Sequence, residues 1–306
     1  EIPKPDYNLE VGSKSHGAQT GEILAKMEEV LIEEKPDCVL VYGDTNSTLA
    51  GALAAAKLHI PVGHIEAGLR SFNRQMPEEI NRILTDHVSQ WLFCPTASSV
   101  QCLGNEGITQ NVFLTGDVML DAIHYNRILA QEKSTILQTL GIRSKEYLLV
   151  TLHRAENTDS PERLGEIVKA LNEVASTTIV PLHPRTKNKM AGYNLTITNP
   201  KVRIIDPVGY LDMIQLEAHA QKIITDSGGV QKEAFFCEVP CITMRDETEW
   251  TELVDPLEVN TLVGANKAKI LHAIVHFNPI FNKVESAFGD GHAAEKIVHT
   301  LIKELS

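Results

Sequence analysis

Residues 37–46 read Asp-Cys-Val-Leu-Val-Tyr-Gly-Asp-Thr-Asn and lead into an Ala- and Leu-rich segment at residues 47–57. The apolar run at residues 37–42 is continuous rather than alternating, which is typical of a strand covered on both faces of a parallel sheet. The segment that follows predicts a helix. Strand, short loop and helix in this order form the unit of an α/β fold, and residues 61–65 begin the next unit.

The same alternation continues along the chain. Further strands are predicted at residues 91–94, 112–114, 147–152, 178–182, 202–205, 222–225, 240–244 and 261–263. Helices are predicted from Pro77 and at residues 161–175, 211–219, 229–237, 266–276 and 293–305. Because 306 residues exceed what one hydrophobic core usually serves, we expect two α/β domains with mostly parallel sheets. We place the boundary after residue 143, in a polar stretch without a strand signal.

Composition and charge exclude several classes of protein. The net charge of −12 argues against a nucleic-acid partner, because binding to a phosphate backbone requires a basic face. No apolar run reaches the length of a membrane-spanning helix, and no signal-peptide pattern opens the sequence. The five cysteines include no C-x-x-C pair, and most lie in apolar runs. We therefore expect a cytoplasmic protein with buried thiols.

Acidic residues follow two of the predicted strands. Asp44 follows the strand at residues 37–42, and Glu66 follows the strand at residues 61–65. Ligands of open α/β sheets bind at the carboxyl ends of the strands, so both residues are candidates for acid–base catalysis. Asp44 also fits the N-cap of the next helix, and Glu66 also fits a salt bridge to Arg70.

A further acidic pair, Glu78 and Glu79, follows Pro77 at a predicted helix start. Carboxylates in a first helical turn complement the helix dipole, so the pair also has a structural interpretation. Adjacent helical residues point about 100° apart, since a turn holds 3.6 residues. Only one of the two side chains can therefore face a cleft.

The second half of the chain carries an anion-binding pattern. Ser227, Gly228 and Gly229 follow a predicted strand and open a helix, whose first N–H groups attract anions. His153 and His183 each end a strand. Each has an arginine close behind it, namely Arg154 and Arg185. A single histidine at a strand end is more often structural, but the two together with the Ser-Gly-Gly turn predict a phosphate site.

Other motifs are incomplete. His272 and His276 have i,i+4 spacing, but the Glu of H-E-x-x-H is missing, so a helix face is favoured over a metal site. Gly289-Asp290-Gly291 lacks the preceding strand and third glycine of a dinucleotide site. The sequence has neither G-x-S-x-G nor a Walker A loop, which argues against ordinary hydrolase and kinase chemistry.

Seven motifs occur in a characteristic order. They are GDT (43–45), HIEAGLR (64–70), PEEINR (77–82), LHRAEN (152–157), HPRT (183–186), DSGGVQKEA (226–234) and RDETE (245–249). In this order they closely resemble the non-hydrolysing UDP-N-acetylglucosamine 2-epimerase family, from Tyr7 to the C-terminus. The resemblance implies two Rossmann-like domains of the glycosyltransferase-B type, with the active site in the cleft between them. It also implies that a last helix, 292–306, completes the first domain, 1–143, and that 144–291 bind UDP.

Members of this family eliminate UDP from UDP-GlcNAc to leave 2-acetamidoglucal, then add UDP back with the C2 proton on the other face. This chemistry requires a base and an acid on opposite faces of C2, and donors or positive charge for the diphosphate. The resemblance implies Asp44, Glu66 and Glu78 as the acid–base carboxylates and His153 near the diphosphate. The substrate-binding residues it implies are Arg82, Arg154, His183, Arg185, Tyr210, Ser227, Gly228, Gly229, Glu233 and Arg245. Among these, the Ser-Gly-Gly turn would hold phosphate and Glu233 the ribose hydroxyls.

The same resemblance implies UDP-GlcNAc, UDP-ManNAc and UDP as ligands, no cofactor, and a homodimer. Three other functions fit the motifs: a hydrolysing 2-epimerase that releases ManNAc, an epimerase of UDP-diacetamido-uronates, and a non-catalytic UDP-sugar-binding protein.

Family members also begin with a strand that ends in a Gly-Thr-Arg-Pro-Glu loop, which this sequence lacks. We therefore expect a longer native protein that supplies one more arginine to the diphosphate.

Overall fold

The computed structural model describes residues 3–281 and 287–306, which form two compact units. The first unit runs to Val118 and also takes in Ala287–Ser306, and the second begins at Met119. Each unit is built around its own β-sheet. No helix within the described ranges is both long enough and apolar enough to cross a lipid bilayer.

The sheet of the first unit has the strands β1 (Val39–Tyr42), β2 (Val62–Ile65), β3 (Trp91–Cys94) and β4 (Val112–Leu114). Its helices are α1 (His16–Glu34), α2 (Asn46–Lys57), α3 (Pro77–Val88), α4 (Ala97–Asn105) and, much later in the chain, α14 (Ala293–Leu305). The strands pair in the order β1-β2-β3-β4, and all three pairs are parallel. The carboxyl ends of these strands therefore share one edge.

Helices cover both faces of the first sheet, which explains why its strands are continuously apolar. On one face, Val41 and Val62 pack against α1 and α2. On the other face, Ile65 packs in a cluster with Ile297 and Leu301 of α14. Full burial of one such side chain contributes about 1.5–3 kcal/mol. The apolar stripe of α14 is therefore an integral part of the first core.

The second unit has the strands β5 (Leu148–Thr151), β6 (Thr178–Pro181), β7 (Val202–Ile205), β8 (Lys222–Thr225), β9 (Cys241–Thr243) and β10 (Asn260–Leu262). Its helices are α5 (Val118–Lys133), α6 (Ile136–Leu140), α7 (Ala155–Thr158), α8 (Pro161–Glu173), α9 (Pro184–Gly192), α10 (Tyr210–His219), α11 (Gly228–Phe236), α12 (Thr251–Val254) and α13 (Lys267–His276). Successive residues of β5 face opposite cores: Leu148 packs against α8 and α13, and Leu149 against α10 and α11.

The strand order of the second sheet reverses once. The order is β10-β9-β8-β5-β6-β7 and every pair is parallel, so the chain runs outward from β5 to β7 and then outward again from β8 to β10. In open α/β sheets, ligands bind at the carboxyl ends of the two strands where the order reverses. The loops after β5 and β8 therefore occupy the favoured position for a ligand.

The predicted strands and helices are confirmed to within two residues at their ends, and the parallel pairing is confirmed as well. The structure adds helices that the sequence did not predict, among them α1, α4, α5 and α9.

The chain divides into its two units after Val118, which is earlier than the predicted boundary after residue 143. The reason is that Ile136, Leu137 and Leu140 of α6 pack on the core of the second sheet.

Candidate active site

Asp44 and Glu66 lie at the carboxyl ends of adjacent strands. Tyr42 of β1 lies beside Ile65 of β2, and the Gly43 N–H donates to the Ile65 carbonyl over 3.0 Å. The two acidic residues therefore leave the sheet at the same edge. The carboxyl group of Glu66 passes over Gly43, where an added Cβ would lie 3.3 Å from Oε2.

The backbone at this edge has an uncommon conformation. Glu66 has a φ of 74°, in the left-handed region, and Gly43 has a φ of 63°. For a residue with a side chain, such a conformation costs about 1–3 kcal/mol and is concentrated at functional sites. The N–H groups of Glu66 and Ala67 both donate to the Phe93 carbonyl over 3.1 Å, which holds the turn in place.

Asp44 forms an ion pair with Arg82 of α3. Its Oδ2 lies 2.5 Å from Nη2 of Arg82, whose Nη1 lies 2.8 Å from Oε2 of Glu79. The Arg82 side chain is 2% exposed and that of Asp44 is 30% exposed, so Asp44 keeps one open side. The alternative that Asp44 caps α2 is wrong, because Thr45 is the N-cap and accepts from the Thr48 N–H.

His64 was not among the predicted site residues, but it contacts the backbone at the same edge of the sheet. Its buried ring places Nδ1 2.6 Å from Oδ1 of Asp86 and Nε2 2.8 Å from the Gly43 carbonyl oxygen. A carbonyl oxygen can only accept, and Asp86 accepts further bonds from the Gly68 N–H and from Arg70. The His64 ring therefore links the strand end at Gly43 to the buried carboxyl group of Asp86.

Arg70 is a buried cation of this network. Its Nη1 lies 2.7 Å from Oδ2 of Asp86, and its Nε lies 2.7 Å from Oε1 of Glu106. Burial opposes the charged form, but the bonds to Glu106 and the charge of Asp86 raise the pKa of Arg70 above its ordinary value. The alternative of a salt bridge between Glu66 and Arg70 is wrong, because Asp86 and Glu106 hold this guanidinium instead.

Glu78 and Glu79 have different environments on α3. Glu79 is 1% exposed and accepts from the N–H groups of Ser71 and Phe72, both over 2.9 Å. It also pairs with Arg82, so its carboxylate is fully engaged in holding the loop before α3. Glu78 is partly exposed, and in the described part of the chain it forms no hydrogen bond or ion pair. Glu78 is therefore the member of the pair that can meet a ligand.

In the second unit, Asp226 organises the loop after β5. Its buried carboxylate follows β8 and accepts from the N–H groups of His153 and Arg154, both over 3.1 Å. The Nδ1 atom of His153 lies 3.4 Å from Oδ1 of Asp226, and the imidazole is 53% exposed. The carboxylate thus fixes His153 at the point where the strand order reverses, with most of the ring open to a ligand.

Ser227 is the N-cap of α11, and its hydroxyl accepts from the Val230 N–H over 3.4 Å. The N–H groups of Gly228 and Gly229 follow in the first turn, where a helix offers donors without carbonyl partners. Behind them, Arg245 pairs with Glu249 over 2.9 Å, and both are buried. Arg245 therefore anchors Glu249 in this structure, while a direct contact with substrate stays a prediction.

Gly228 has no room for a side chain. An added Cβ would lie 2.5 Å from Oε1 of Glu249 and 3.4 Å from Nη2 of Arg154. We expect Gly228→Ala to cost about 1–3 kcal/mol of unfolding free energy, as overpacking does. Urea denaturation measures this cost. Gly229→Ala is the matched control for stability, since its Cβ would meet Met119 and Ser227 only at 3.8 and 3.9 Å. Equal stability of the two variants would contradict the prediction.

His183 and Arg185 lie after β6, next to β5 in the sheet. Nδ1 of His183 accepts from the Arg185 N–H over 3.2 Å and caps α9. Nη2 of Arg185 lies 3.0 Å from Oδ2 of Asp159, and both side chains are largely exposed. Local contacts account for both residues, and their expected role in phosphate binding stays a prediction.

Tyr210 and Glu233 come together at the start of α10. The Tyr210 side chain interacts with the carboxyl group of Glu233, and burial, followed by the charge of Glu233, raises the pKa of Tyr210. Glu233 itself is 9% exposed, so a small part of the residue reaches solvent. Such a group can accept from ligand hydroxyls, and the binding of ribose that the family resemblance implies for Glu233 stays a prediction. Across the described ranges, no three His, Cys, Asp or Glu side chains are grouped as a metal site requires.

Known proteins resemble this chain over nearly all of its length. A family model described as UDP-N-acetylglucosamine 2-epimerase matches residues 1–302. A UDP-N-acetylglucosamine 2-epimerase homolog of Methanococcus maripaludis is 54% identical, with 98% of this chain and 85% of that protein covered. The UDP-2,3-diacetamido-2,3-dideoxy-D-glucuronate 2-epimerase of Pseudomonas aeruginosa is 49% identical, with 99% and 85% covered.

The fold of this chain also closely resembles that of a solved structure. The Methanocaldococcus jannaschii UDP-GlcNAc 2-epimerase, crystallised with UDP-GlcNAc and UDP, has a TM-score of 0.91 and 46% identity. The match covers 99% of this chain and 85% of that one. The fold of this chain is therefore the glycosyltransferase-B type with two parallel-sheet α/β units.

Proposed function

The chain belongs to the UDP-N-acetylglucosamine 2-epimerase family, and on that premise we propose that it interconverts UDP-GlcNAc and UDP-ManNAc. The observation that carries the proposal is the pair of carboxylates, Asp44 and Glu66, that leave adjacent strand ends. It gains support from the 46% identical relative that was crystallised with UDP-GlcNAc and UDP.

The proposed reaction has two half-steps. A base removes the proton from C2 of the sugar, the electron pair forms the C1–C2 double bond, and the C1–O bond breaks with release of UDP. In the return step, the UDP oxygen adds to C1 and an acid delivers a proton to the other face of C2. The sequence of steps is redox-neutral, so it requires no electron carrier.

Asp44, Glu66 and Glu78 are the proposed acid–base groups. Asp44 and Glu66 share an edge of the first sheet, and Glu78 is the partly exposed carboxylate of α3. Arg82 holds Asp44 in an ion pair, and the left-handed turn at Glu66 fixes the direction of the Glu66 side chain. General acid–base groups of this kind typically contribute about 100-fold to 10,000-fold in rate.

The loops after β5 and β8 are the proposed site of the leaving UDP. The first N–H groups of α11 and the exposed imidazole of His153 offer donors to a diphosphate. Stabilising the leaving anion lowers the barrier to elimination, because negative charge develops on it in the transition state.

Proton NMR of the product tests this function. We expect UDP-GlcNAc to yield UDP-ManNAc and, in deuterated water, to acquire deuterium at C2 in both sugars. Release of free ManNAc would instead indicate the hydrolysing reaction. UDP binding without turnover or exchange at C2 would indicate a non-catalytic sugar-nucleotide-binding protein.

A second candidate function is epimerisation of a UDP-diacetamido-glucuronate. It is favoured by the 49% identity to the Pseudomonas aeruginosa enzyme of that name. The elimination at C1 and C2 is the same, and the substrates differ at C3 and C5. The same NMR experiment with both substrates decides between them: turnover of the diacetamido substrate alone would replace the first proposal.

His153 gives a direct test of the proposed UDP site. We expect His153→Ala to weaken UDP binding about tenfold, the value of one hydrogen bond to a charged group. Titration calorimetry measures the affinity, and the smaller rise in melting temperature at fixed UDP follows by mass action. His276→Ala, an exposed histidine on α13, is the control. Unchanged UDP affinity in His153→Ala would remove this residue from the site.

Three expectations accompany this function and stay predictions. They are the cytoplasmic location, the homodimer, and a substrate that contacts residues of both units. Size-exclusion chromatography with light scattering tests the second.

A further inference from the structure

Behind Glu233 lies a carboxyl group that the proposed mechanism does not use. Glu217 of α10 is 0% exposed, and its carboxyl group interacts with that of Glu233 of α11. In the described part of the chain, no N–H or O–H group donates to either oxygen of Glu217. The two carboxyl groups are thus each other's partners.

Two carboxylates cannot form a hydrogen bond, because both offer only lone pairs. A buried charge without a donor is also costly. Both difficulties disappear if one carboxyl group carries a proton. We propose that Glu217 is a neutral carboxylic acid that donates to Glu233, and so acts as a positioning residue for the carboxylate that binds the nucleotide's ribose hydroxyls. This inference rests on the proposed function, since it assumes a UDP ligand.

The surroundings of Glu217 favour the neutral acid. Glu233 is the titratable group that acts on it, and Glu217 in turn raises the pKa values of four neutral neighbours, Tyr147, Tyr210, Cys237 and Cys241. Two cations, Arg127 and Lys145, act on Cys237, and Lys145 donates to the carbonyl oxygens of Ala218 and Ala220 rather than to Glu217. Burial, and after it the charge of Glu233, raises the pKa of Glu217 well above its ordinary value.

Nearby donors and cations are engaged elsewhere. The Tyr147 hydroxyl donates to the Leu216 carbonyl over 2.6 Å, so its proton is used. The cation of α11, Lys232, has its Nζ 4.1 Å from the centre of the Trp250 ring, and it lowers the pKa of Glu233 rather than that of Glu217. Of the two carboxyl groups, Glu217 is therefore the one that holds the proton.

This proton has a consequence for ligand recognition. A carboxylate has about four lone-pair positions. The proposed Glu217 hydroxyl would occupy one of them and so orient the Glu233 carboxylate. The remaining positions can accept from two neighbouring hydroxyls of a ribose. Loss of the Glu217 donor should therefore weaken binding of a diol ligand specifically.

Two variants and two nucleotides test this role. Glu217→Gln keeps a donor of the same shape but cannot ionise, and Glu217→Met removes the donor. We expect Glu217→Met to bind UDP about tenfold more weakly and to bind 2′,3′-dideoxy-UDP as the parent does. Glu217→Gln should bind both nucleotides within about twofold of the parent. Gln215→Met, a buried polar position on the same helix, controls for disturbance of α10.

Melting temperatures without ligand test the proton separately. A raised pKa in the folded state gives stability that is present below the ordinary carboxyl pKa and is lost as the pH rises toward the folded value. The melting temperature of the parent should therefore fall relative to that of Glu217→Gln between mildly acidic and mildly alkaline pH. An equal pH dependence of the two proteins would contradict a neutral Glu217.

The remaining outcomes are also decisive. If Glu217→Met loses the same affinity for UDP as for the dideoxy nucleotide, Glu217 acts through packing alone. If Glu217→Gln binds UDP as weakly as Glu217→Met does, Glu217 does not act as a donor. Either result overturns the inference. A parent that does not bind UDP contradicts the proposed function, and the melting comparison then still decides whether Glu217 holds a proton.

Discussion

Glu66→Gln should lower turnover of UDP-GlcNAc at least about a hundredfold while leaving the melting temperature almost unchanged. The amide has the shape of the carboxyl group but can neither remove nor deliver the C2 proton. Asp44→Asn and Glu78→Gln should have effects of the same order, for the same reason. Steady-state kinetics with NMR detection of UDP-ManNAc measures these losses. Near-normal turnover in all three variants would exclude the assignment.

Glu79→Gln is the matched control, because Glu79 adjoins Glu78 on α3 and differs from it in its contacts. Its carboxylate accepts from the loop before α3 and pairs with Arg82. We expect this variant to lose stability, measured as melting temperature. A variant of Glu78 that loses stability to the same degree as Glu79→Gln would indicate a structural role for both.

Asp86→Ala should cost about 3–5 kcal/mol of the unfolding free energy of the first unit, the usual effect of removing one partner from a buried ion pair. Asp86 accepts from His64, Arg70 and the Gly68 N–H, all in a part of the unit closed to water. Its removal leaves the buried Arg70 guanidinium with only Glu106 as a counter-charge, and the buried His64 ring without its Asp86 partner. Urea denaturation followed by tryptophan fluorescence measures this cost in a Trp250→Phe background, where Trp91 of the first unit is the remaining tryptophan.

The control for this cost is an exposed ion pair. Asp159 pairs with Arg185 over 3.0 Å, but their side chains are 44% and 53% exposed. We expect Asp159→Asn to change stability by at most about 1 kcal/mol, as surface pairs do. If Asp86→Ala and Asp159→Asn destabilise equally, the buried network does not hold the first unit together.

The sequence was sufficient to predict the strands and the candidate residues that lie at their carboxyl ends. Continuous apolar runs identify strands of a covered parallel sheet, and the residue after such a run lies at the edge where ligands bind. Asp44, Glu66, His153 and Ser227 could therefore be selected from local sequence alone. Their individual roles depended on the family resemblance.

The orientation of α3 could not be predicted in this way. Helices usually bury apolar residues, yet α3 buries Glu79, Arg82 and Asp86 and exposes Ile80 and Leu84. An amphipathic pattern would have turned the opposite face inward. Because the polar residues bind one another and the loops beside them, only the tertiary contacts reveal which of the two adjacent glutamates is free to act.

His64 and Asp86 were missed for a related reason. Each carries a weak signal by itself: a histidine within an apolar strand, and an acid near the C-terminal end of a helix, where the dipole disfavours it. Their contact explains why both polar residues occur at these positions, but they are 22 residues apart in the sequence and no local pattern relates them. A polar residue in a locally unfavourable position therefore indicates a tertiary partner, and a second residue of this kind is a candidate for that partner.

The arrangement of α14 has a consequence for biosynthesis. Ile297 and Leu301 complete the core around Ile65, but they leave the ribosome only after all of the second unit has been made. At roughly 5–20 residues per second, synthesis of that unit takes on the order of ten seconds or more. During this time the nascent first sheet lacks one of its covering helices, and the apolar surface of β2 and β3 is open to chaperones. The second unit, although later in the chain, is thus the first to have its whole sequence available for folding.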